Sequence, residues 1–393
     1  MFRQNRNLLI IALIAVVNAL GYGIIIPVLY SYSLKYGLSD FQNGLLFSLF
    51  SICQFISTPI IGRMSDKYGR RPLLIISILG TAISFFIMAF APSAIFLFLA
   101  RALDGITAGN IPVASAVISD TTSQEQRTRG FGIIGASFGF GFIFGPAISA
   151  LTVSRSASLP FIIAGTISLI AVLLTFIFLP ETNKHIGEVK RSSLFNFKKL
   201  FQAMFDENVG VTLLITLFNA ISFSLMIFAY QPFSLKILHL SANQISLLFT
   251  MFGVIGLFAQ LLLVHKLVSL LGLKRLFSLA LFTISVVFLS IFFIRSLLLF
   301  VLSSIFLGLS NSSIQTLIPT ILSRETDAKS QGSILGLSTS YMSIGQILGP
   351  IVGGLIATFA IPYPFLAASF FSVICFFLSF HVLKRGVKKE SAF

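Results

Sequence analysis

Five charged side chains, Arg63, Asp66, Lys67, Arg70 and Arg71, stand within residues 62–74, GRMSDKYGRRPLL, and apolar runs flank them on both sides. Asp66 has the chemistry to accept charge-assisted hydrogen bonds from guanidinium groups or from the N-terminus of a helix. Gly62 and Gly69 supply a tight turn and a close approach of two helices. A second charged stretch, SDTTSQEQRTR, offers Asp120, Glu125, Arg127 and Arg129. Crosswise pairing, Asp66 with Arg127 and Arg70 with Asp120, would latch helix ends in one conformation. The plainer alternative is loop charge with fluctuating surface pairs, each contributing ~0–1 kcal/mol. Positive charge alone, however, requires neither Asp66 nor the glycines.

Arg101 and Asp104 pose a different question, because they share one helical face inside an apolar run. A charge at the centre of a membrane helix costs about 2.5–3.5 kcal/mol on insertion scales. The two groups are therefore expected to face each other or a central cavity. One reading makes Asp104 a proton carrier whose ionisation answers to the nearness of Arg101 and of water. Arg101 then serves coupling or substrate binding. The other reading is a permanently ionised pair that fixes its helix.

The chain that must position these groups has 393 residues, 56% hydrophobic and only 10% charged, with a mean hydropathy of +0.98. Soluble domains carry about 25% charged residues, so no soluble shell can be built here. Twelve apolar runs are read as spans: 8–30, 41–61, 72–91, 93–117, 130–151, 160–180, 208–235, 243–264, 275–294, 297–322, 332–358 and 363–382. Each is roughly 20 residues, enough to cross ~30 Å of hydrocarbon. They must be helices, because a helix satisfies its own backbone in lipid. The alternation of a membrane barrel is missing. With the N-terminus placed in the cytoplasm, 22 of the 27 lysines and arginines fall on the cytoplasmic side, 4 on the other, and Arg101 within a span. This positive-inside asymmetry puts both termini in the cytoplasm. It also accounts for the net charge of +15 without nucleic acid. Cys53 and Cys375 lie in apolar runs and suggest neither a disulfide nor a metal site. The first run is too long for a signal-peptide core and is read as retained.

The chain is also an internal duplication. Gly132, Gly141, Gly145, Pro146, Ser149 and Ala150 recur 204 residues later as Gly336, Gly345, Gly349, Pro350, Gly353 and Gly354. The turn GRRPLL is echoed faintly by GLKRLF from Gly272. Two six-helix bundles, 1–182 and 208–393 with its short cytoplasmic tail, joined by a cytoplasmic linker 183–207, are the expected domains. Such repeats are typical of transporters with a substrate site near the midplane. Small residues spaced four apart make a smooth helical face, and Pro146 permits a kink. That face either seals the two halves against each other or packs helices tightly with no part in coupling.

Gly62, Asp66, Gly69, Arg70 and Arg71 fill the pattern Gly-x-x-x-Asp-x-x-Gly-Arg-Arg/Lys, which resembles the hallmark loop of the major facilitator superfamily. RALDGITAG, from Arg101, resembles that family's fourth-span motif, with Asp104 where Gln is common. The Gly132 to Pro146 series resembles its fifth-span motif of drug/proton antiporters. The first half looks closest to bacterial tetracycline-type efflux proteins. Those carry acids in the first, third and ninth spans. Here Asn18 and Ser84 stand in the first and third and the ninth has none, which argues against tetracycline itself. The resemblance implies an all-α membrane protein in which the loop network stabilises an outward-facing state. It also implies a cavity walled by spans one, four, seven and ten. On those walls the i, i+4 pairs Asn18 with Tyr22, Asn219 with Phe223 and Asn311 with Gln315 are candidate substrate contacts, with structural helix bridging as the alternative. The reading that follows is a proton-coupled exporter of small lipophilic molecules in the inner (plasma) membrane, working by alternating access. Its expected partners are a small-molecule substrate, protons and the lipid bilayer. A monomer is expected, with no enzyme activity, cofactor, metal or nucleic acid. An importer or facilitator of a polar metabolite and a transport-inactive sensor or scaffold are the alternatives.

Overall fold

The computed structural model describes residues 2–122, 124–183, 186–187, 197–326 and 330–384, leaving out the side chains at 2–7, 124–131, 197, 199 and 384. Among them, twelve helices are long and apolar enough to cross a membrane: Leu8–Ile25, Asp40–Tyr68, Arg70–Ala89, Ala94–Thr121, Gly132–Thr152, Leu159–Phe178, Gly210–Lys236, Ala242–Leu271, Leu273–Phe293, Leu297–Glu325, Gln331–Ala357 and Tyr363–Leu383. They are called spans one to twelve. By contacts the chain forms two units, Met1–Phe195 with Leu240–Met251, and Asn196–His239 with Phe252–Phe393.

In the first unit span one packs along span five, span three along span six, and span two along span four. The second repeats this order: span seven along span eleven, span nine along span twelve, and the Ala259–Leu271 part of span eight against span ten. Ile11, Ile14, Leu74, Val113, Val117 and Ala171 form part of the fully packed centre of the first unit. Lipid is as apolar as these side chains, so close packing and small residues, rather than escape from water, hold such helices together.

Three interruptions depart from uniform helices. The first helix ends at Ile25, short of the expected 30, and a short helix Leu29–Ser33 follows. Pro27 causes the break, since it lacks the N–H that the Gly23 carbonyl needs and its ring crowds the preceding turn. Span four is two helices, Ala94–Thr107 and Asn110–Thr121. Pro112 withholds the bond to the Ala108 carbonyl there. Span eight carries a π-helical turn at Ala259–Leu263.

Candidate functional site

Two constellations of the first unit gather charged residues. The first is the turn between spans two and three. Gly69 stands there with φ 102° and ψ 156°, a conformation essentially confined to glycine. Arg70 is the hub of the network. Its Nη1 donates to Asp66 Oδ1 at 2.5 Å and to Ser65 Oγ at 2.7 Å, and its Nε donates to Asp120 Oδ2 at 3.1 Å. The guanidinium thus links the ends of spans two, three and four. Arg71 turns the other way. Its Nη2 donates to the Phe176 carbonyl at 2.5 Å, and the group lies 5.3 Å above the Phe176 ring.

Glu181 completes this network. Its carboxylate accepts the backbone N–H groups of Arg70 at 2.9 Å and Arg71 at 3.1 Å, an anion seated on the N-terminus of span three. Oε1 also accepts the N–H groups of Thr182 and Asn183, both at 2.9 Å. Asn183 Nδ2 donates to the Asp66 carbonyl at 3.0 Å. A Cβ at Gly69 would strike the Glu181 carboxylate, so this glycine is required twice over.

The expected pairing of Arg70 with Asp120 is therefore present, and Asp66 pairs with Arg70 as well. The Arg127 side chain lies outside the described residues. Gly62 departs from expectation. It sits inside the helix of span two with nothing within 4 Å of the place a Cβ would take, so it brings no helix closer. Gly69 alone makes the turn.

The second constellation lies just before the break in span four. Arg101 is 3% exposed and Asp104 8% exposed, which puts both inside the packed helices. Arg101 Nη1 reaches Asp104 Oδ2 at 3.4 Å. The guanidinium also lies 4.4 Å from the centre of the Phe50 ring of span two, while its Nε is buried with no hydrogen-bond partner. Tyr22 and Cys53 stand close enough to interact electrostatically with Arg101. The Tyr22 ring lies 6.4 Å from Phe50 and 5.8 Å from Phe142. Small residues make this assembly possible. A Cβ on Gly105 would run into the Phe50 carbonyl and Cys53, and Ser57 Oγ donates to the Gly105 carbonyl at 2.9 Å.

The remaining candidates divide. Asn18 is engaged between helices, accepting from Asn110 Nδ2 at 2.7 Å and donating to the Ile14 carbonyl at 3.1 Å. In the second unit Asn219 is buried, and the Phe223 ring lies 6.4 Å from Phe252. Asn311 is buried with its Oδ1 unpartnered, whereas Gln315, four residues on, is exposed.

The glycine series packs helices within each unit. Gly141 and Gly145 abut Ala19, Gly23 and Ile24 of span one, and Ser149 Oγ donates to the Ile24 carbonyl at 3.0 Å. Gly345 and Gly349 abut Ala220, Ile221, Ser224 and Leu225 of span seven. Each of these glycines thus presses on a helix of its own unit. Pro146 and Pro350 lie inside continuous helices. Gly132 and Gly336 have open space where a Cβ would go and do not belong to the contact face.

Phe50 and Glu181 escaped the sequence reading. Phe50 is one of 44 phenylalanines, with no local mark to single it out. Glu181 acts on residues more than a hundred positions away.

The family model described as Major Facilitator Superfamily matches residues 11–211 and 212–393. The chain is 29% identical over 389 residues to the tetracycline resistance protein, class H, of Pasteurella multocida, covering 92% of this chain and 91% of that one. It is 30% identical over 379 residues to multidrug resistance protein 1 of Bacillus subtilis (strain 168), covering 94% of each. A bacterial homolog to the human lysosomal transporter Spinster, solved in an inward-facing and occupied conformation, superposes with a TM-score of 0.79 at 16% identity, covering 97% of both chains.

Proposed function

As the chain belongs to the Major Facilitator Superfamily of membrane transporters, we propose that it is a proton-coupled exporter of small lipophilic molecules that works by alternating access. The observation that carries this reading is the buried Arg101–Asp104 pair at the break of span four. Asp104 is the one carboxylate deep within a span among the described residues. Relatives aligned over nine-tenths of the chain are named for resistance to tetracycline and to multiple drugs, which supports export.

In this mechanism Asp104 carries the proton. When ionised it pairs with Arg101; when protonated it releases the guanidinium. A change in hydration or separation of the two across the transport cycle then loads and unloads the proton on opposite sides. Arg70 with Asp66, Asp120 and Glu181 locks helix ends in one state, with Gly69 setting the turn, Arg71 anchoring span six and Arg127 as a further partner. Tyr22, Asn219, Phe223, Asn311 and Gln315 contribute to the substrate path, and Asn18 holds span one to span four. The chain sits in the inner (plasma) membrane as a monomer with both termini in the cytoplasm, its six-helix halves 1–182 and 208–393 joined by 183–207.

Purified protein in liposomes under an imposed pH gradient, screened against a panel of lipophilic compounds, tests this reading. Substrate-dependent proton flux is expected. Asp104→Asn is expected to abolish gradient-driven accumulation while allowing downhill counterflow, and Asp104→Glu to keep partial coupling. Full accumulation by Asp104→Asn would overturn the assignment.

A further inference from the structure

We propose that Phe50 is a positioning residue that holds Arg101 by its ring face whenever Asp104 is neutral; this deepens, and rests on, the reading of Asp104 as the proton carrier. Three observations on spans two and four lead to it. The ion pair is loose, a single contact of 3.4 Å rather than a bidentate fork. The guanidinium is closely apposed to the Phe50 ring at 4.4 Å. Its Nε is buried with no partner, so no further hydrogen bond fixes the group on that side.

A buried cation whose only partner is a carboxylate resists protonation of that carboxylate, because the cation would be left unpaired in a medium of low polarity. A second partner that the guanidinium engages more fully once the carboxylate is neutral removes part of that resistance. An aromatic face is such a partner, and a cation–π contact strengthens when it is desolvated. Tyr22 from span one and Cys53 from span two are the other titratable groups that feel Arg101. Neither replaces the ring, since neither makes a hydrogen bond or ring contact to the guanidinium. The approach is built into the backbone: Gly105 lets span four lie against the Phe50 carbonyl, and Ser57 clamps the Gly105 carbonyl at 2.9 Å.

Two experiments test the proposal. The first is a thermal-stability cycle on the full-length protein in detergent with Phe50→Leu, Asp104→Asn and the double variant. Asn mimics the neutral acid, so Phe50→Leu is expected to lower the melting temperature more in the Asp104→Asn background than alone, and Phe50→Tyr to restore it. Equal losses in both backgrounds would overturn the proposal, and this readout needs no transport. The second is the pH profile of substrate-dependent proton flux in liposomes. Phe50→Leu is expected to move it toward acid by about one pH unit, the size of a contact near 1.4 kcal/mol, while Phe50→Tyr leaves it in place. An unmoved profile in a folded, active Phe50→Leu variant would overturn the proposal. A wild type without proton flux would instead overturn the coupling function, while the stability cycle would still decide whether Phe50 holds Arg101.

Discussion

Gly69 and Gly272 occupy matching turns in the two halves, with φ 102°, ψ 156° and φ 79°, ψ 150°. Two residues beyond each, a basic side chain caps the last helix of its unit: Arg71 Nη2 on the Phe176 carbonyl at 2.5 Å, and Lys274 Nζ on the Val382 carbonyl at 2.8 Å. The glycine faces also match, Gly145 against span one and Gly349 against span seven. The acids do not. The first turn is threaded by Asp66, Asp120 and Glu181, while the second, LLGLKRLF, has no carboxylate in it. Span four is broken and carries Arg101 and Asp104, whereas span ten runs unbroken from Leu297 to Glu325. Duplicated geometry thus serves packing, which both units need. Among the described residues, the ion pairs given around a turn and within a span lie in the first unit, where a few side chains suffice and each buried charge is costly.

The largest effect should come from breaking what the halves share. Gly145→Leu and Gly349→Leu each drive a side chain into the backbone of a neighbouring helix, Gly23 and Ile24 in one case, Ile221 and Leu225 in the other. Each is expected to cost about 3 kcal/mol or more and to abolish most folded protein. Yield of monodisperse protein and melting temperature measure this. Similar losses would uphold a symmetric scaffold; loss in Gly145→Leu alone would give the fifth-span glycine a special role.

Much of this scaffold could be read from the sequence, because hydropathy and glycine spacing are local properties. All twelve spans follow from apolar runs, and the two turns from Gly69 and Gly272 beside basic residues. Arg101 and Asp104 stood out because charge is rare in such runs. The breaks were less visible. Pro27 and Pro112 are written in the chain, yet hydropathy continues through both. For Asn18 the sequence left cavity contact and helix bridging open, and could not show that its partner, Asn110, stands 92 positions away. Glu181 and Phe50 depend on tertiary proximity, for which charge count and periodicity carry no signal.

A smaller effect should separate the two turns. Alanine at Gly69 or Gly272 forces a side chain into a backbone region that costs about 1–3 kcal/mol. Gly272 otherwise has open space, whereas Gly69 also meets the Glu181 carboxylate. Gly69→Ala is therefore expected to lower the melting temperature more than Gly272→Ala. Adding Glu181→Ala to Gly69→Ala should close part of the gap by clearing the collision. If the two glycine variants melt alike, Glu181 is not pressed against the turn.

The smallest effect is expected from Glu181→Gln. The amide oxygen can still accept from the Arg70 and Arg71 N–H groups, now at 2.9 and 3.1 Å from the carboxylate oxygens, but only one oxygen remains and the negative charge is gone. What is lost is chiefly the attraction between an anion and a helix N-terminus, about 0.3–1 kcal/mol at low salt. Because that attraction is screened, the drop in melting temperature should shrink as salt rises toward 1 M, where the Debye length falls to about 3 Å. Salt titration of wild type and variant in the same detergent reads this directly. A Glu181→Gln loss as large at high salt as at low would mean that Glu181 acts through hydrogen-bond geometry alone. The electrostatic distinction between the two turns would then rest on Asp66 and Asp120.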